Sequence, residues 1–199
     1  PVHRGHVQSA RELKQLLQLD ELRLLPCHQP PHRDTPEVAS EQRLAMVELA
    51  ICDEPGLEVD DRELRRDGPS YTVDTLASLR QEVGADTSLY WVMGTDAFAG
   101  LASWHRWQEL LDYAHIVVMA RPDTSMPGSG ELAALLAERR VLNPDALREQ
   151  AAGHILLVSL TAYPISATDI RRRLAQGEPA APLLPEAVAT YIEQHQLYR

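Results

Sequence analysis

The sequence predicts an α/β protein built on an open, mainly parallel sheet with helices on both faces. Short apolar runs alternate along the chain with longer amphipathic stretches. Such alternation is typical of parallel strands buried beneath covering helices. A chain of 199 residues can bury one core of this kind, and neither a repeat nor a Gly/Ser linker divides it. We therefore expect a single domain over residues 1–199, in which about residues 160–199 form a small helical subdomain.

The apolar spacing predicts the order of the elements. Strands are expected at residues 21–26, 57–60, 88–93, 115–120 and 154–158, with the run at 88–93 as a central strand. Helices are expected at residues 7–17, 40–50, 71–83, 131–140 and 145–152. A short helix is expected to run through Leu110 and Leu111, and another helix to begin at Ser166. Residues 123–130 are polar and rich in glycine, proline and serine, which favours a mobile loop.

Composition limits the classes of function. The net charge is −10 and the pI is about 5.2, which argues against a nucleic-acid-binding protein that works through a large basic face. The charge does not exclude a local basic site for a small nucleotide.

No apolar run has the length of a membrane span and none resembles a signal peptide, so we expect a soluble, cytoplasmic protein with no membrane partner. Cys27 and Cys52 lack the spacing of a disulfide or zinc framework and are expected to be reduced thiols.

The chain opens with two histidines at a predicted helix N-terminus. His3 and His6 bracket Gly5, and an amphipathic stretch follows them. Free N–H groups and the positive end of the helix dipole make such a terminus suited to anions, and two imidazoles can donate further hydrogen bonds to phosphate oxygens. The spacing also suits two metal ligands. A third interpretation is a pair of surface histidines without a function.

A second helix start carries a similar choice. Ser166 can cap a helix, and Asp169 three residues later resembles the partner residue of a capping box. Thr168 and Arg171 would lie on the same side of the first turn as Ser166, which suits phosphate oxygens. Capping alone and phosphate binding both remain open for this stretch. The next two residues, Arg172 and Arg173, are expected to be solvated charges.

Residues between these stretches offer groups for the rest of a nucleotide. Gly94 and Asp96 follow the predicted strand at 88–93, where a glycine lets a ligand approach and a carboxylate can accept a ribose hydroxyl proton. Trp104 has mostly polar neighbours, so it can either pack in the core or offer one face to a flat ring. His32 and Arg33 lie in a proline-rich loop after the first predicted strand.

These fragments resemble a known family. Pro-Val-His-Arg-Gly-His at residues 1–6 and Ile-Ser-Ala-Thr-Asp-Ile-Arg at residues 165–171 resemble the two signatures of the adenylyltransferase superfamily of nucleotidyltransferases. Residues 30–33, 69–76, 93–96 and 103–104 narrow the likeness to the bacterial nicotinate mononucleotide adenylyltransferases, over essentially the whole chain. Either end motif alone would identify only the superfamily.

The resemblance implies an enzyme of NAD biosynthesis. It would transfer AMP from ATP to nicotinate mononucleotide, with Mg²⁺ accompanying ATP, and release pyrophosphate. The residues implied to hold the ATP phosphates are His3, His6, Ser166 and Arg171 with Thr168 close by, and His3, His6 and Arg171 are the implied catalytic residues. The mononucleotide would be held by Thr72 and Trp104 at the pyridine ring, the amide of His105 at the nicotinate carboxylate and Asp96 at a ribose. His32 and Arg33 would border the substrates.

The family pattern begins earlier than this sequence. Its members have a strand and a Gly-Gly-Thr-Phe-Asp turn directly before the proline that corresponds to Pro1. We therefore expect that the protein has residues before Pro1 that supply the first strand of the sheet and a backbone cradle for the α-phosphate.

Three other functions share part of this pattern. A sister adenylyltransferase would keep both phosphate-binding stretches and differ at Thr72 and Trp104. A metal-dependent hydrolase would use His3 and His6 as zinc ligands. A nucleotide-binding module without catalysis would bind ATP but release no pyrophosphate.

Overall fold

The computed structural model describes residues 1–30, 37–120 and 126–199. The α-helices are α1 (Arg4–Leu16), α2 (Ser40–Ile51), α3 (Thr72–Val83), α4 (Thr95–Ala99), α5 (Leu110–Tyr113), α6 (Glu131–Arg139), α7 (Ala167–Ala175) and α8 (Glu186–Gln194). The strands are β1 (Leu22–Leu24), β2 (Leu57–Val59), β3 (Tyr90–Gly94), β4 (His115–Ala120), β5 (Arg140–Val141) and β6 (Ile155–Ser159). No helix in these ranges is both long and apolar enough to cross a membrane.

The described residues form two compact units, each with its own parallel sheet. Unit 1 comprises Pro1–Ser70 and Thr161–Arg199, and unit 2 comprises Tyr71–Leu160. Strands β1 and β2 pair in unit 1, while unit 2 holds a sheet in the order β3-β4-β6-β5. The predicted α/β class with parallel strands is confirmed. The residues after Thr161 cluster with the first seventy residues, and the division into one domain with a C-terminal subdomain stays a prediction.

Each unit has a separate hydrophobic core. In unit 1, apolar residues of α1, α2, α7 and α8 pack together, among them Val7, Met46, Ile170 and Val188. In unit 2, residues of α3 and of the short helices after β3 pack against β4 and β6, and Phe98 is completely buried there. Burial of this apolar surface is the main favourable term for both units.

Among the described strands, the run at residues 88–93 does not take the predicted central place but lies at one edge of the sheet in unit 2. Strand β3 pairs with β4 only among the described strands, whereas β4 has parallel partners on both sides. The burial pattern agrees, because the first four residues of β4 are fully buried and most of β3 is only half-buried. An apolar run predicts burial but not strand order, which explains the difference.

The predicted helix at residues 145–152 is mostly absent. Only Pro144–Arg148 forms a 3₁₀ turn, which Asn143 caps through a 3.0 Å bond from the Asp145 N–H, and the short strand β5 precedes it unpredicted. Beyond the turn, the carbonyl of Gln150 accepts from Ser88 and that of Ala151 from Leu89, at 2.9 and 3.1 Å. These bonds tie residues 150 and 151 to the chain that precedes β3, and the 3₁₀ turn ends at Arg148 before reaching them.

A buried histidine joins this segment to β4. His115 is completely buried; its Nε2 lies 3.0 Å from the carbonyl oxygen of Gln150, and its Nδ1 accepts from the His154 N–H at 3.0 Å. Nε2 therefore carries the hydrogen and the ring is neutral. Burial lowers the pKa of His115, and the ring of His154, stacked 5.4 Å away, adds a smaller effect in the same direction.

We expect His115→Gln to reduce the free energy of unfolding most at neutral pH, by about 1–3 kcal/mol, since buried backbone groups lose a partner. Unfolded histidine has a pKa of about 6.5, so below that pH the unfolded wild type gains a proton that folded His115 resists, and wild-type stability falls. Glutamine does not titrate. Urea denaturation at pH 7.5 and 5 should show the difference shrinking at the lower pH.

The exposed His195 provides the control. His195→Gln should leave stability unchanged at both pH values. A constant difference between wild type and His115→Gln would contradict the proposed role of the neutral ring.

Candidate active site

The first helix begins at the two predicted histidines. His3 is the N-cap of α1 with an extended backbone, and His6 is the third residue of its first turn. The His3 N–H donates to His6 Nδ1 at 3.2 Å, and the His6 N–H donates to the His3 carbonyl oxygen at 2.9 Å. The helix start is therefore held by His6 reaching back, and the predicted position of both histidines is confirmed.

The two imidazoles stack, but their environments differ. Their ring centroids lie 3.7 Å apart with 28° between the planes, and His3 is only 6% exposed while His6 is exposed. His3 Nδ1 is buried and has no hydrogen-bond partner within the described part of the chain. An unsatisfied buried polar atom costs about 1–3 kcal/mol, and this nitrogen lies against Gly5 in the first turn of α1.

Burial also determines the charge of His3. Burial, with a smaller contribution from the nearby His6, lowers the pKa of His3 to about 3. The ring is therefore neutral near pH 7, which avoids placing two positive charges within a 3.7 Å stack. His3 can offer a hydrogen bond to an anion but not a positive charge.

Sequence reasoning missed the packing role of Gly5. A Cβ placed at Gly5 would lie 3.1 Å from both Cε1 and Nδ1 of His3, and 3.3 Å from Cβ of Tyr163. Few real Cβ contacts are this short. The glycine between the histidines thus lets the His3 ring pack closely against the first turn of α1.

The second helix start differs from the predicted capping box. Ser166 is the N-cap of α7, but its side chain makes no capping hydrogen bond. The Asp169 carboxylate accepts from Arg172 and Arg173 instead, each at 2.7 Å. These arginines are therefore paired and not simply solvated as predicted, because two guanidinium groups within one helical turn outcompete a backbone N–H for the carboxylate.

The other polar groups of this turn lie on one side, as predicted. Arg171 Nη2 donates to Thr168 Oγ1 at 3.1 Å, and the side chains of both residues and of Ser166 are exposed. Since Asp169 is engaged with its own partners, Arg171 and two hydroxyls define the exposed surface at the N-terminal turn of α7. That surface is suited to phosphate oxygens.

Both helix starts belong to unit 1 and share its core. Val7 and Ala10 of α1 pack in the same buried cluster as Ile170 of α7, with Val2 and Ile165 against its edge. The apolar contacts thus hold the two helix starts that are suited to phosphate within one compact unit.

The residues predicted for the mononucleotide all lie in unit 2, except His32. Thr72 is the first residue of α3, and Asp96 lies exposed in the first turn of α4. Trp104 is half-buried and packs against the core of unit 2. His105 is exposed, with its ring 4.3 Å from that of Tyr71. Core packing is therefore observed at Trp104, and stacking on a ligand ring stays a prediction.

Thr95 fixes the turn that carries Asp96, a role that the sequence did not indicate. It is fully buried, and its Oγ1 donates to the carbonyl oxygen of Met119 on the neighbouring strand at 3.1 Å. The bond ties the end of β3 to β4 where α4 begins.

His32 and Arg33 lie outside the described residues, as do residues 123–125 of the predicted loop. The chain leading towards His32 is anchored: Ser70 Oγ accepts from the N–H groups of His28 and Gln29, both at 3.1 Å. Arg43 donates to the His28 carbonyl oxygen at 3.2 Å.

The residues that the structure describes contain no group of side chains that could hold a metal ion. No three histidine, cysteine, aspartate or glutamate side chains there are grouped to hold an ion. Cys27 is half-buried and Cys52 exposed, and both are free thiols. A zinc site built on His3 and His6 thus lacks a third ligand among the described residues.

Comparisons with known proteins match most or all of the chain and indicate the same kind of enzyme. The cytidylyltransferase-like family matches residues 1–173. A curated Pseudomonas entomophila protein named "Probable nicotinate-nucleotide adenylyltransferase" is 53% identical over 199 residues, covering 100% of this chain and 90% of the relative. A Pseudomonas aeruginosa protein of the same name is 52% identical, covering 100% of this chain and 92% of its own length.

Solved structures support the fold. The nicotinic acid mononucleotide adenylyltransferase of Plasmodium falciparum, solved in complex with NaAD, has a TM-score of 0.73 at 15% identity and covers 100% of this chain and 92% of its own. A structure of the same enzyme with APC has a TM-score of 0.71 at 13% identity, with the same coverage. The chain is therefore a member of the cytidylyltransferase-like family and, within it, of the bacterial nicotinate-nucleotide adenylyltransferases.

Proposed function

We propose that this protein transfers AMP from ATP to the 5′-phosphate of nicotinate mononucleotide, giving deamido-NAD and pyrophosphate in NAD biosynthesis. Membership of the family supports the activity. The observation that carries the assignment of residues is the stacking of the His3 ring on that of the exposed His6 at the start of α1. The cytoplasmic location expected from the sequence stays a prediction.

The phosphates of ATP are assigned to unit 1. His3 offers a neutral hydrogen bond from its buried ring, and His6 offers an exposed imidazole directly beside it. Arg171 supplies a permanent positive charge, with Thr168 holding its guanidinium at 3.1 Å. Ser166 adds an exposed hydroxyl at the same helix turn. The N-terminal dipoles of α1 and α7 favour negative charge at both places.

The mononucleotide is assigned to residues of unit 2. Trp104 would stack on the pyridine ring, and Thr72 would contact the ring from the first turn of α3. The backbone N–H of His105 would face the nicotinate carboxylate, and Asp96 would accept a ribose hydroxyl. His32 is assigned to the border of the substrates from the resemblance alone.

The chemical step needs no general base. A phosphate oxygen of the mononucleotide attacks the α-phosphorus of ATP in line with the bond to the β-phosphate; that bond breaks, and pyrophosphate leaves with its electron pair. A phosphomonoester, with a second pKa of about 6, is already largely dianionic near pH 7. The contribution of His3, His6 and Arg171 is to align the phosphates and to stabilise charge on the leaving pyrophosphate.

Mg²⁺ is proposed to enter with ATP. The helix starts assigned to the phosphates present imidazole, hydroxyl and guanidinium groups, and the described residues include no cluster of three possible metal ligands. This donor set does not fit a Mg²⁺ ion held by the protein, since that ion prefers carboxylate, phosphate and water oxygens.

A pyrophosphate-release assay tests the activity. With ATP and Mg²⁺, we expect turnover to be highest with nicotinate mononucleotide, lower with nicotinamide mononucleotide and absent with phosphopantetheine, because Trp104 and the His105 amide are suited to a flat acidic ring. Release without any acceptor would indicate hydrolysis. A preference for phosphopantetheine would contradict the proposed substrate.

We expect Gly5→Ala to lower kcat/KM by at least about tenfold, because the new Cβ would displace the His3 ring from the phosphates. Folding should persist, since alanine favours a helix over glycine by about 1 kcal/mol. Steady-state kinetics and thermal melting measure the two effects. Gly128→Ala is the matched control, because no described atom lies within 4 Å of its Cβ. Unchanged kinetics in Gly5→Ala would remove the His3 ring position from the mechanism.

We expect Trp104→Ala to raise the KM for nicotinate mononucleotide by roughly tenfold, since loss of ring stacking costs about 1 kcal/mol or more. The KM for ATP should stay within about twofold. Trp91→Ala is the control, because Trp91 is also half-buried against the core of unit 2. It should reduce stability without this selective effect. An increase in the KM for ATP alone would show that Trp104 does not bind the pyridine ring.

A further inference from the structure

An acidic residue of α1 contacts the chain that leads into α7. The carboxylate of Glu12 accepts from the backbone N–H of Thr161 through both oxygens, at 3.0 and 3.1 Å. Thr161 is the residue at which the chain enters unit 1 after unit 2. A charged acceptor strengthens such a bond relative to a neutral one.

A second contact lies about two turns closer to the start of α1. The Cβ of Tyr163 lies 3.3 Å from the position that a Cβ on Gly5 would occupy, so the Tyr163 backbone passes close over the first turn. Ile165 then donates its N–H to the Tyr163 carbonyl oxygen at 2.7 Å and packs against the core of unit 1. Residues 161–165 are thus attached to α1 and its core at successive points.

This attachment fixes where α7 begins. Ser166, the N-cap of α7, follows Thr161 by only five residues, which span at most about 17 Å when extended. Releasing Thr161 would therefore let the segment that carries Ser166 shift relative to α1, whereas Ile170 would keep the rest of α7 in the core.

Neighbouring charges on α1 serve other contacts. Arg11 pairs with Glu54, and the Lys14 side chain lies against Gly56. Neither is placed as an ion-pair partner of Glu12 in the described contacts, and the Glu12 carboxylate faces backbone instead.

We propose that Glu12 is a positioning residue for ATP: by holding the Thr161 N–H, it sets the distance between the phosphate-binding starts of α1 and α7. The inference rests on the proposed function, because it takes His3 and Arg171 as the groups that hold the phosphates. Glu12 itself touches no substrate.

Three variants test the proposal. Glu12→Ala removes both acceptor oxygens, and Glu12→Gln removes the charge but keeps one oxygen that can accept from Thr161. Glu48→Ala is the matched control, because Glu48 is an exposed glutamate in the middle of α2. The KM values for ATP and nicotinate mononucleotide, the dissociation constant of ATP from calorimetry, and the melting temperature are measured for each.

We expect Glu12→Ala to raise the KM and the dissociation constant for ATP by about three- to tenfold, the effect of losing a hydrogen bond of about 1 kcal/mol. The KM for nicotinate mononucleotide should stay within about twofold. Glu12→Gln should lie close to wild type, and Glu48→Ala should match it. A residue that only stabilised the fold would lower the melting temperature without separating the two KM values.

The opposite results would overturn the proposal. Tighter ATP binding in both Glu12 variants would show that the charge alone acts on the phosphates, and equal effects on both substrates would show general destabilisation. The calorimetric constant keeps the test separate from the proposed function. If the wild type bound ATP but released no pyrophosphate, the activity would be wrong, while weaker ATP binding in Glu12→Ala would still support the positioning role.

Discussion

The close packing of the His3 ring over Gly5 is the constraint on which the phosphate-suited part of the structure depends. The His3 ring packs so closely against the first turn of α1 that a Cβ on Gly5 would lie 3.1 Å from it. That position buries the ring and lowers the pKa of His3 to about 3 through desolvation, which leaves it neutral. A neutral His3 can in turn stack on His6 without repulsion. The absence of a Cβ at Gly5 thus influences both the position of the His3 ring and its neutral charge.

The charges at the start of α7 also depend on contacts within a single helical turn. Asp169 would place a negative charge beside bound phosphate, but Arg172 and Arg173 engage its carboxylate. Arg171, bonded to a threonine hydroxyl, keeps its positive charge for a ligand. The overall charge of −10 is therefore compatible with a site that attracts anions, because dissolved salt at about 0.1 M screens charges over about 10 Å.

The shared core of unit 1 explains how residues more than 150 positions apart can contribute to one proposed phosphate site. Val7 and Ile170 are buried in one cluster, and Glu12 binds the backbone of Thr161. In unit 2, the buried hydroxyl of Thr95 fixes the turn before Asp96 in a comparable way. In both units, a residue outside the predicted site thus makes a polar bond to the chain next to residues that are proposed for it.

The sequence by itself determined the α/β class, the position of His3 and His6 at a helix start, and the family, because these follow from local spacing and short motifs. Tertiary structure alone decided the burial of His3, the place of β3 among the described strands and the end of the helix expected after Asp145, because each depends on groups that are distant in the sequence. The carbonyls of Gln150 and Ala151, for example, accept from Ser88 and Leu89, about sixty residues earlier in the chain, and no local pattern encodes those contacts.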